Sequence, residues 1–141
     1  MSKTGPILLI EDDIDDINVF KDALNALGYN NQLIWYDNAD DAMEYLESTD
    51  DSVFIVFSDI NLPGMNGLEF KKKIDSVPHL RIKSIPFVFY STSARQQDID
   101  KAYSEMTIQG FFKKERNYNE MKKNIGLILE YWTICRHPDL Q

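Results

Sequence analysis

The sequence lacks several features on which large classes of protein depend. It has one cysteine, Cys135, so no disulfide forms within the chain and a disulfide-stapled secreted fold is excluded. Its two histidines, His79 and His137, lie in a predicted loop and near the terminus, where we expect both to be solvated. No Ser-His-Asp or Cys-His set can be assembled from these positions.

Long apolar runs are also missing. The first run, Ile-Leu-Leu-Ile, ends after four residues at an acidic stretch, so neither a secretory signal nor a membrane span is predicted. Basic residues number 15 against 23 acidic ones, for a net charge of −8, which is the wrong sign for binding a phosphate backbone. We therefore expect a cytoplasmic protein that binds neither membranes nor nucleic acid.

The size and composition indicate a single folded unit. The chain has 141 residues, of which 43% are hydrophobic and 27% charged, as is usual for one globular domain. We predict one domain over residues 5–137, with no effector domain.

Strand-like and helix-like segments alternate along the whole chain. This alternation is typical of parallel strands connected by crossover helices, and it predicts an α/β fold with a five-stranded parallel sheet wound on both faces. We interpret residues 78–86, PHLRIKSIP, as a loop because prolines stand at both ends. The predicted strands are PILLI, NQLIWYD, SVFIVFSD, FVFYS and IQGFFKK.

Polar residues follow four of these strands, at the sheet edge where ligands bind in such folds. Carboxylates brought together there repel one another unless a cation joins them, and an all-oxygen set open to water suits Mg²⁺. The residues in question are Glu11, Asp12 and Asp13; Asp59; Ser91 and Thr92; and Lys113 and Lys114.

This ordered set resembles the receiver domain of two-component response regulators, which share the fold of chemotaxis regulators. The likeness covers essentially the whole chain. It is greatest to stand-alone receivers that serve phytochrome-type histidine kinases, on the strength of ILLIEDDIDD, YSTSARQQDIDKAY and QGFFKK. It implies a (βα)5 flavodoxin-like fold and a signalling protein that is not an enzyme in the ordinary sense.

The resemblance assigns the phosphoacceptor and the metal ligands. Asp59 would take a phosphoryl group from a histidine kinase or phosphotransfer protein. Asp12 and Asp59 would ligate Mg²⁺, with Glu11 acting through water and Asn61 through its backbone carbonyl. The remaining acids are expected to form the exposed first turn of the first helix, where they favour its dipole: Asp13, Asp15 and Asp16.

The resemblance also assigns the phosphoryl contacts and a switch residue. Ser91 would donate its hydroxyl to the phosphoryl group, and Lys114 would bind a phosphoryl oxygen. We favour Lys114 over Lys113 because Gly110, Phe111 and Phe112 then stand at the family's offsets before the lysine. Phe111 would be the aromatic whose packing changes on phosphorylation.

Two departures leave a rival function open. Glu115 stands where the family usually has proline, and Thr92 stands where a small residue is usual. The rival is a receiver-like adaptor that binds its partners without being phosphorylated. A phosphohydrolase is disfavoured, because Asn61 stands where that chemistry usually calls for a second acid.

The last helix is apolar around much of its circumference, in IGLILEYWTIC. Two interpretations have equal weight: a broad core face, or a homodimer or kinase-docking patch that includes Leu127, Tyr131 or Trp132. Signal output is expected through a downstream protein that contacts the predicted fourth helix, fifth strand and fifth helix.

Overall fold

A computed structural model describes residues 2–92 and 95–136 of the chain, without the side chain of Ser2. The predicted domain end, His137, lies outside these residues. So does Ser93, at which the pattern SARQQDIDKAYSEM predicts that the fourth helix begins. After a short 3-10 turn, the strands β1–β5 are Ile7–Ile10, Leu33–Tyr36, Ile55–Ser58, Phe87–Ser91 and Gly110–Lys113. The helices α1–α6 are Ile14–Leu27, Ala39–Ser48, Gly67–Ser76, Pro78–Lys83, Gln96–Glu105 and Tyr118–Ile134.

The five strands form one parallel sheet in the order β2-β1-β3-β4-β5. The predicted α/β flavodoxin-like receiver fold is therefore confirmed. The chain runs outward from β1 to β2 and then returns across β1 to β3, so the strand order reverses between β1 and β3. In such a sheet the crevice for ligands lies at this reversal, beyond the carboxyl ends of the strands.

The central strands are buried on both faces because their apolar side chains alternate between two cores. On one face Phe57 packs edge-on against Phe20 of α1, with 4.9 Å between ring centroids, and α6 completes this core. On the other face Phe89 and Phe87 pack in the core covered by α2, α3, α4 and α5. This two-sided burial explains why β1, β3 and β4 are nearly continuous apolar runs.

The predicted loop at residues 78–86 was wrong, because Pro78 begins the short helix α4. Proline is tolerated at the first helical position, where its missing N–H has no intrahelical acceptor to lose. Leu80 anchors α4 in the core, and Ser84 ends the helix in the left-handed conformation, at a φ of 50°. The sequence spacing places Ile99, Ala102, Tyr103 and Met106 on one side of α5. Ala102 and Met106 are buried there, but Tyr103 is 56% exposed.

The longest helix, α6, buries one side and leaves apolar residues on the other. Ile125 and Leu129 lie in the core, whereas Leu127, Tyr131 and Ile134 are exposed. Within the described ranges, no helix is both long enough and apolar enough to pass through a membrane.

Candidate functional site

Asp59 is held rigidly at the carboxyl end of β3. Its backbone N–H donates to the Ile10 carbonyl oxygen at 3.0 Å, which continues the pairing of β3 with β1. Its carboxylate oxygen Oδ1 accepts the backbone N–H groups of Ile60 at 2.7 Å and Asn61 at 3.2 Å. The side chain is buried but reaches the surface, with the residue 7% exposed. The carboxylate is thus fixed in orientation and accessible from the sheet edge.

Three carboxylates meet at the reversal of strand order. Oxygen atoms of Glu11, Asp12 and Asp59 all lie within 4.8 Å of one another. Glu11 continues the ladder at the end of β1, because its backbone N–H donates to the Tyr36 carbonyl at 3.0 Å. Glu11 and Asp59 are buried and Asp12 is exposed. The structure thus brings together the three acidic side chains predicted from the sequence.

The Lys114 ammonium lies beside these carboxylates and offsets part of their negative charge. Its ammonium donates to Glu11, to Asp59 Oδ2 at 3.1 Å and to Asp16 Oδ2 at 3.0 Å. Its backbone N–H donates to the Ser91 carbonyl oxygen at 2.8 Å, which fixes the end of β5 against β4. Lys114 is buried and Lys113 is exposed, so Lys114 is the lysine that reaches the site.

The ionisable side chains of the site carry a net negative charge. Burial raises the pKa of Glu11 to about 7, and Asp59 adds to this rise, although the hydrogen bond and charge of Lys114 act against it. Burial alone would lower the pKa of Lys114, but its carboxylate partners outweigh burial and raise that pKa above its ordinary value. One ammonium therefore offsets several carboxylates and leaves a net negative crevice.

The donor set fits a hard divalent cation. Glu11, Asp12 and Asp59 offer only oxygen atoms, which Mg²⁺ and Mn²⁺ prefer over softer ligands. Asn61 follows Asp59 closely on the same loop, and its residue is exposed. Its predicted contribution to the site is its backbone carbonyl.

The remaining predicted residues lie around this cluster. Ser91 is buried at the carboxyl end of β4, in register with Lys113 of β5. Phe111 is half-buried and packs against Phe89, with 5.5 Å between ring centroids, in the core under α3 and α5. Thr92 is exposed just beyond Ser91. These positions are compatible with the predicted roles.

The sequence-based interpretation of Asp16 was incomplete. Asp16 was assigned with Asp13 and Asp15 to an exposed, dipole-stabilising first turn, but its carboxylate forms an ion pair with Lys114. Asp13 is the N-cap of α1 and accepts the Asp15 backbone N–H at 2.9 Å. Neither sequence spacing nor composition signals which acid of this turn faces β5.

Gly67 is a second residue that the sequence-based reasoning missed. A Cβ atom at this position would lie 2.2 Å from the carbonyl oxygen of Asp59. The Gly67 backbone N–H donates to the Ile60 carbonyl at 2.8 Å, so the start of α3 packs directly on the loop that carries Asp59. The available signal was a glycine at the start of a helical pattern, where close backbone approach is a usual reason for it.

Comparisons with known proteins agree with this geometry. Residues 7–126 match the family model of the response regulator receiver domain. Chemotaxis protein CheY-3 of Vibrio cholerae is 27% identical over 131 residues, which cover 92% of this chain and 95% of that protein.

Two crystal structures of response regulators are similar throughout. The phosphorylated cyanobacterial phytochrome response regulator RcpA is 27% identical, with a TM-score of 0.82 over 92% of this chain and 94% of that one. The Mn²⁺-bound form of response regulator Rcp1 is 26% identical, with a TM-score of 0.81 over 94% of this chain and 96% of that one. The likeness predicted from the sequence motifs, including that to phytochrome-associated receivers, is confirmed.

Proposed function

Because the chain belongs to the response regulator receiver family of two-component signalling, we propose that it is a phosphoacceptor switch whose nucleophile is Asp59. The observation that supports this most directly is the convergence of the Lys114 ammonium and the Glu11 and Asp12 carboxylates on the Asp59 side chain. We propose that the receiver spans residues 5–137, whereas the family model matches residues 7–126.

The transfer itself requires little chemistry from the protein. A carboxylate oxygen of Asp59 attacks the phosphorus of a phosphohistidine on the donor protein and forms an O–P bond. The P–N bond breaks, and the imidazole nitrogen leaves with the bonding electrons. Positioning and charge stabilisation provide most of the catalysis in such transfers. Backbone donors from Ile60 and Asn61 hold the Asp59 carboxylate in position for this step.

The neighbouring residues stabilise the phosphoryl group. Lys114 donates to a phosphoryl oxygen as a point charge, and Ser91 donates its hydroxyl to another. Glu11, Asp12, Asp59 and the Asn61 carbonyl would hold Mg²⁺. When bound, the ion neutralises the charge that develops on the transferring group. Rcp1 has been crystallised with Mn²⁺ and RcpA in a phosphorylated form, and both facts support this assignment.

The donor and the readers are proteins. We infer a histidine kinase or phosphotransfer protein as the donor, and the similarity to RcpA favours a phytochrome-type kinase. We propose that the output passes to a downstream protein that contacts the face formed by α5, β5 and α6. We also propose that the phosphoryl transfer takes place in the cytoplasm. On this face a groove of about 280 Å³ runs between β5 and α6 and is lined by Leu127, Tyr131 and Trp132. The same residues are those through which two copies would associate.

Intact-mass measurement after incubation with Mg²⁺ and a small acyl phosphate tests the proposal. We expect a single phosphoryl adduct that requires Mg²⁺ and is absent from Asp59→Asn. Asp40→Asn, an exposed acid in the first turn of α2, is the matched control and should be phosphorylated normally. A folded wild-type protein without any adduct would favour the constitutive adaptor. Repeated turnover of a generic phosphate ester would favour the phosphohydrolase.

A further inference from the structure

Asp16 lies outside the carboxylate group that could hold a cation, yet it contacts the same lysine. The Lys114 ammonium donates to Asp16 Oδ2 at 3.0 Å and to Asp59 Oδ2 at 3.1 Å, and it also contacts Glu11. Among the described residues, the clustered oxygen atoms belong to Glu11, Asp12 and Asp59. Asp16 is thus the one carboxylate partner of Lys114 that is not a candidate metal ligand.

The start of α1 explains how Asp16 reaches this position. Asp13 is the N-cap and Ile14 the first helical residue, so Asp16 stands in the first turn. Side chains of a helix lean toward its N-terminus, which here faces the sheet edge where β5 ends. The Asp16 side chain is 31% exposed and that of Lys114 is 6% exposed. The ammonium therefore has Asp16 on its solvent side and Glu11 and Asp59 on its buried side.

We propose that Asp16 is a positioning residue that holds the Lys114 ammonium beside Asp59 while a divalent cation occupies the site. This inference rests on the proposed function. A cation held by Glu11 and Asp59 would compete with Lys114 for these two carboxylates, and its positive charge would repel the ammonium. Asp16 alone remains as an unshared partner. It keeps the ammonium within reach of the phosphoryl group instead of allowing it to swing into solvent.

Asp15 separates this role from a general effect on the helix. An acid in the first turn of a helix stabilises it through the macrodipole, and this holds for Asp15 as for Asp16. The Asp15 side chain is exposed, and the structure shows no ion pair from it to Lys114 within the described residues. Asp15→Asn therefore removes the same charge from the same turn without removing the contact.

Phosphorylation kinetics at a series of Mg²⁺ concentrations test the inference. We expect Asp16→Asn to lower the maximal rate of adduct formation by about fivefold, as suits one partly exposed charge-assisted contact. The Mg²⁺ concentration that gives half of that rate should not rise by more than about twofold over wild type, because Asp16 is not a ligand. Asp15→Asn should match wild type in both quantities. Asp16→Glu, which keeps the carboxylate, should recover most of the rate.

A double-mutant cycle with Lys114→Ala identifies the residue through which Asp16 acts. In the Lys114→Ala background, Asp16→Asn should cause no further loss. The inference is overturned if Asp16→Asn behaves as Asp15→Asn does, or if its effect persists without Lys114. Equal loss in Asp16→Asn and Asp16→Glu, accompanied by a lower unfolding midpoint, would also overturn it in favour of a folding effect. A wild-type protein that forms no adduct would overturn the proposed function as well, whereas normal wild-type phosphorylation with equal variant rates overturns this inference alone.

Discussion

Gly67 and Asp59 are in direct backbone contact: a methyl group on the α-carbon of Gly67 would lie 2.2 Å from the Asp59 carbonyl oxygen. The nearest atoms belong to the main chain at the end of β3, which the sheet holds in place. No flexible side chain can move aside to make room. The position of α3 against the loop that carries Asp59 therefore depends on a residue without a side chain.

We predict that Gly67→Ala lowers the free energy of unfolding by about 2–4 kcal/mol, because the overlap can be relieved only by shifting α3 or the loop. Phosphorylation of Asp59 should also be slower in this variant than in the wild type. Chemical denaturation and intact-mass kinetics measure the two effects.

Gly126→Ala is the matched control for that substitution. An added Cβ at Gly126 would meet the terminal methyl of Leu27 at 3.1 Å, and this methyl belongs to a flexible side chain. Alanine also favours the interior of α6 by up to about 1 kcal/mol. Stability of this variant should stay within about 1 kcal/mol of wild type. Equal losses at positions 67 and 126 would contradict the proposed importance of the contact with Asp59.

A second polar network joins the end of α3 to the segment before β5. The Asp75 carboxylate accepts a hydrogen bond from the Lys71 ammonium at 2.8 Å. It also accepts hydrogen bonds from the Thr107 hydroxyl at 2.7 Å and from the Thr107 backbone N–H at 3.0 Å. Burial alone would raise the pKa of Asp75, but these hydrogen bonds outweigh it and hold that pKa below its usual range. Burial lowers the pKa of Lys71, which also lies 5.1 Å from the centre of the Phe87 ring.

The lowered pKa of Asp75 determines how the free energy of unfolding changes with pH. A depressed carboxyl pKa means that the unfolded chain binds more protons, so the stabilisation by Asp75 is present above its unfolded pKa of 3.8 and is lost as pH falls through the folded value. We predict that Asp75→Asn lowers the free energy of unfolding near neutral pH by about 2–4 kcal/mol, because it leaves Lys71 buried without a counter-ion. The difference from wild type should shrink in acid. Urea denaturation across the pH range measures it.

Two further variants make this prediction specific. Lys71→Met combined with Asp75→Asn should recover much of the lost stability, because no unpaired ammonium then remains buried. Asp98→Asn breaks the exposed pair with Arg95 and should cost less than about 0.5 kcal/mol. If Asp75→Asn lowers the free energy of unfolding by the same amount at all pH values down to strong acid, hydrogen bonding to Thr107 is responsible for the stabilisation, and charge is not.

The sequence predicted the elements that depend on local pattern. Fully apolar runs identified β1, β3 and β4, because strands covered on both faces need apolar side chains throughout. The glycine that follows the apolar pattern of the first helix, Gly28, ends α1 in the left-handed conformation, with a φ of 82°. Helix α4 was missed because a proline that ends one helix can also begin another, and local pattern does not distinguish the two.

The site was predictable as far as strand order determines it. Glu11, Asp59 and Lys114 each follow directly after a strand, so parallel topology alone brings them to one edge. Asp16 and Gly67 were not predictable in this way. Their roles depend on which direction a side chain takes and how closely α3 approaches β3, and these are properties of tertiary packing.

Exposed apolar residues on α6 predict self-association or partner binding. Leu127 is 56% exposed beside the groove between β5 and α6. We expect sedimentation velocity to show a concentration-dependent dimer in the wild type that Leu127→Asp abolishes, because a charge would be buried without a partner. Ile82→Asp is the control, since Ile82 on α4 is 82% exposed and lies outside this face. A wild type that stays monomeric at all concentrations, with and without the phosphoryl group, would rule out the dimer.

The Lys114 ammonium contacts carboxylates that would also hold a divalent cation, and this shared use gives the last prediction. In the described residues, the Lys114 ammonium is the only cationic side chain in contact with Glu11, Asp16 or Asp59. Lys114→Met should lower the free energy of unfolding without metal by about 2–4 kcal/mol, because the carboxylates lose their counter-ion. Its affinity for Mg²⁺ should rise by about threefold to tenfold, since no ammonium then repels the ion.

Calorimetric titration and thermal unfolding over a range of Mg²⁺ concentrations measure both effects. Mg²⁺ should raise the unfolding midpoint of Lys114→Met more than that of wild type, because tighter binding to the folded state stabilises it further. Lys113→Met, the exposed neighbour, should resemble wild type in both measurements. Phosphorylation should nevertheless be slower in Lys114→Met despite its tighter metal binding, because the phosphoryl contact is lost. Unchanged or weaker Mg²⁺ binding would contradict the expected competition between the ion and the Lys114 ammonium.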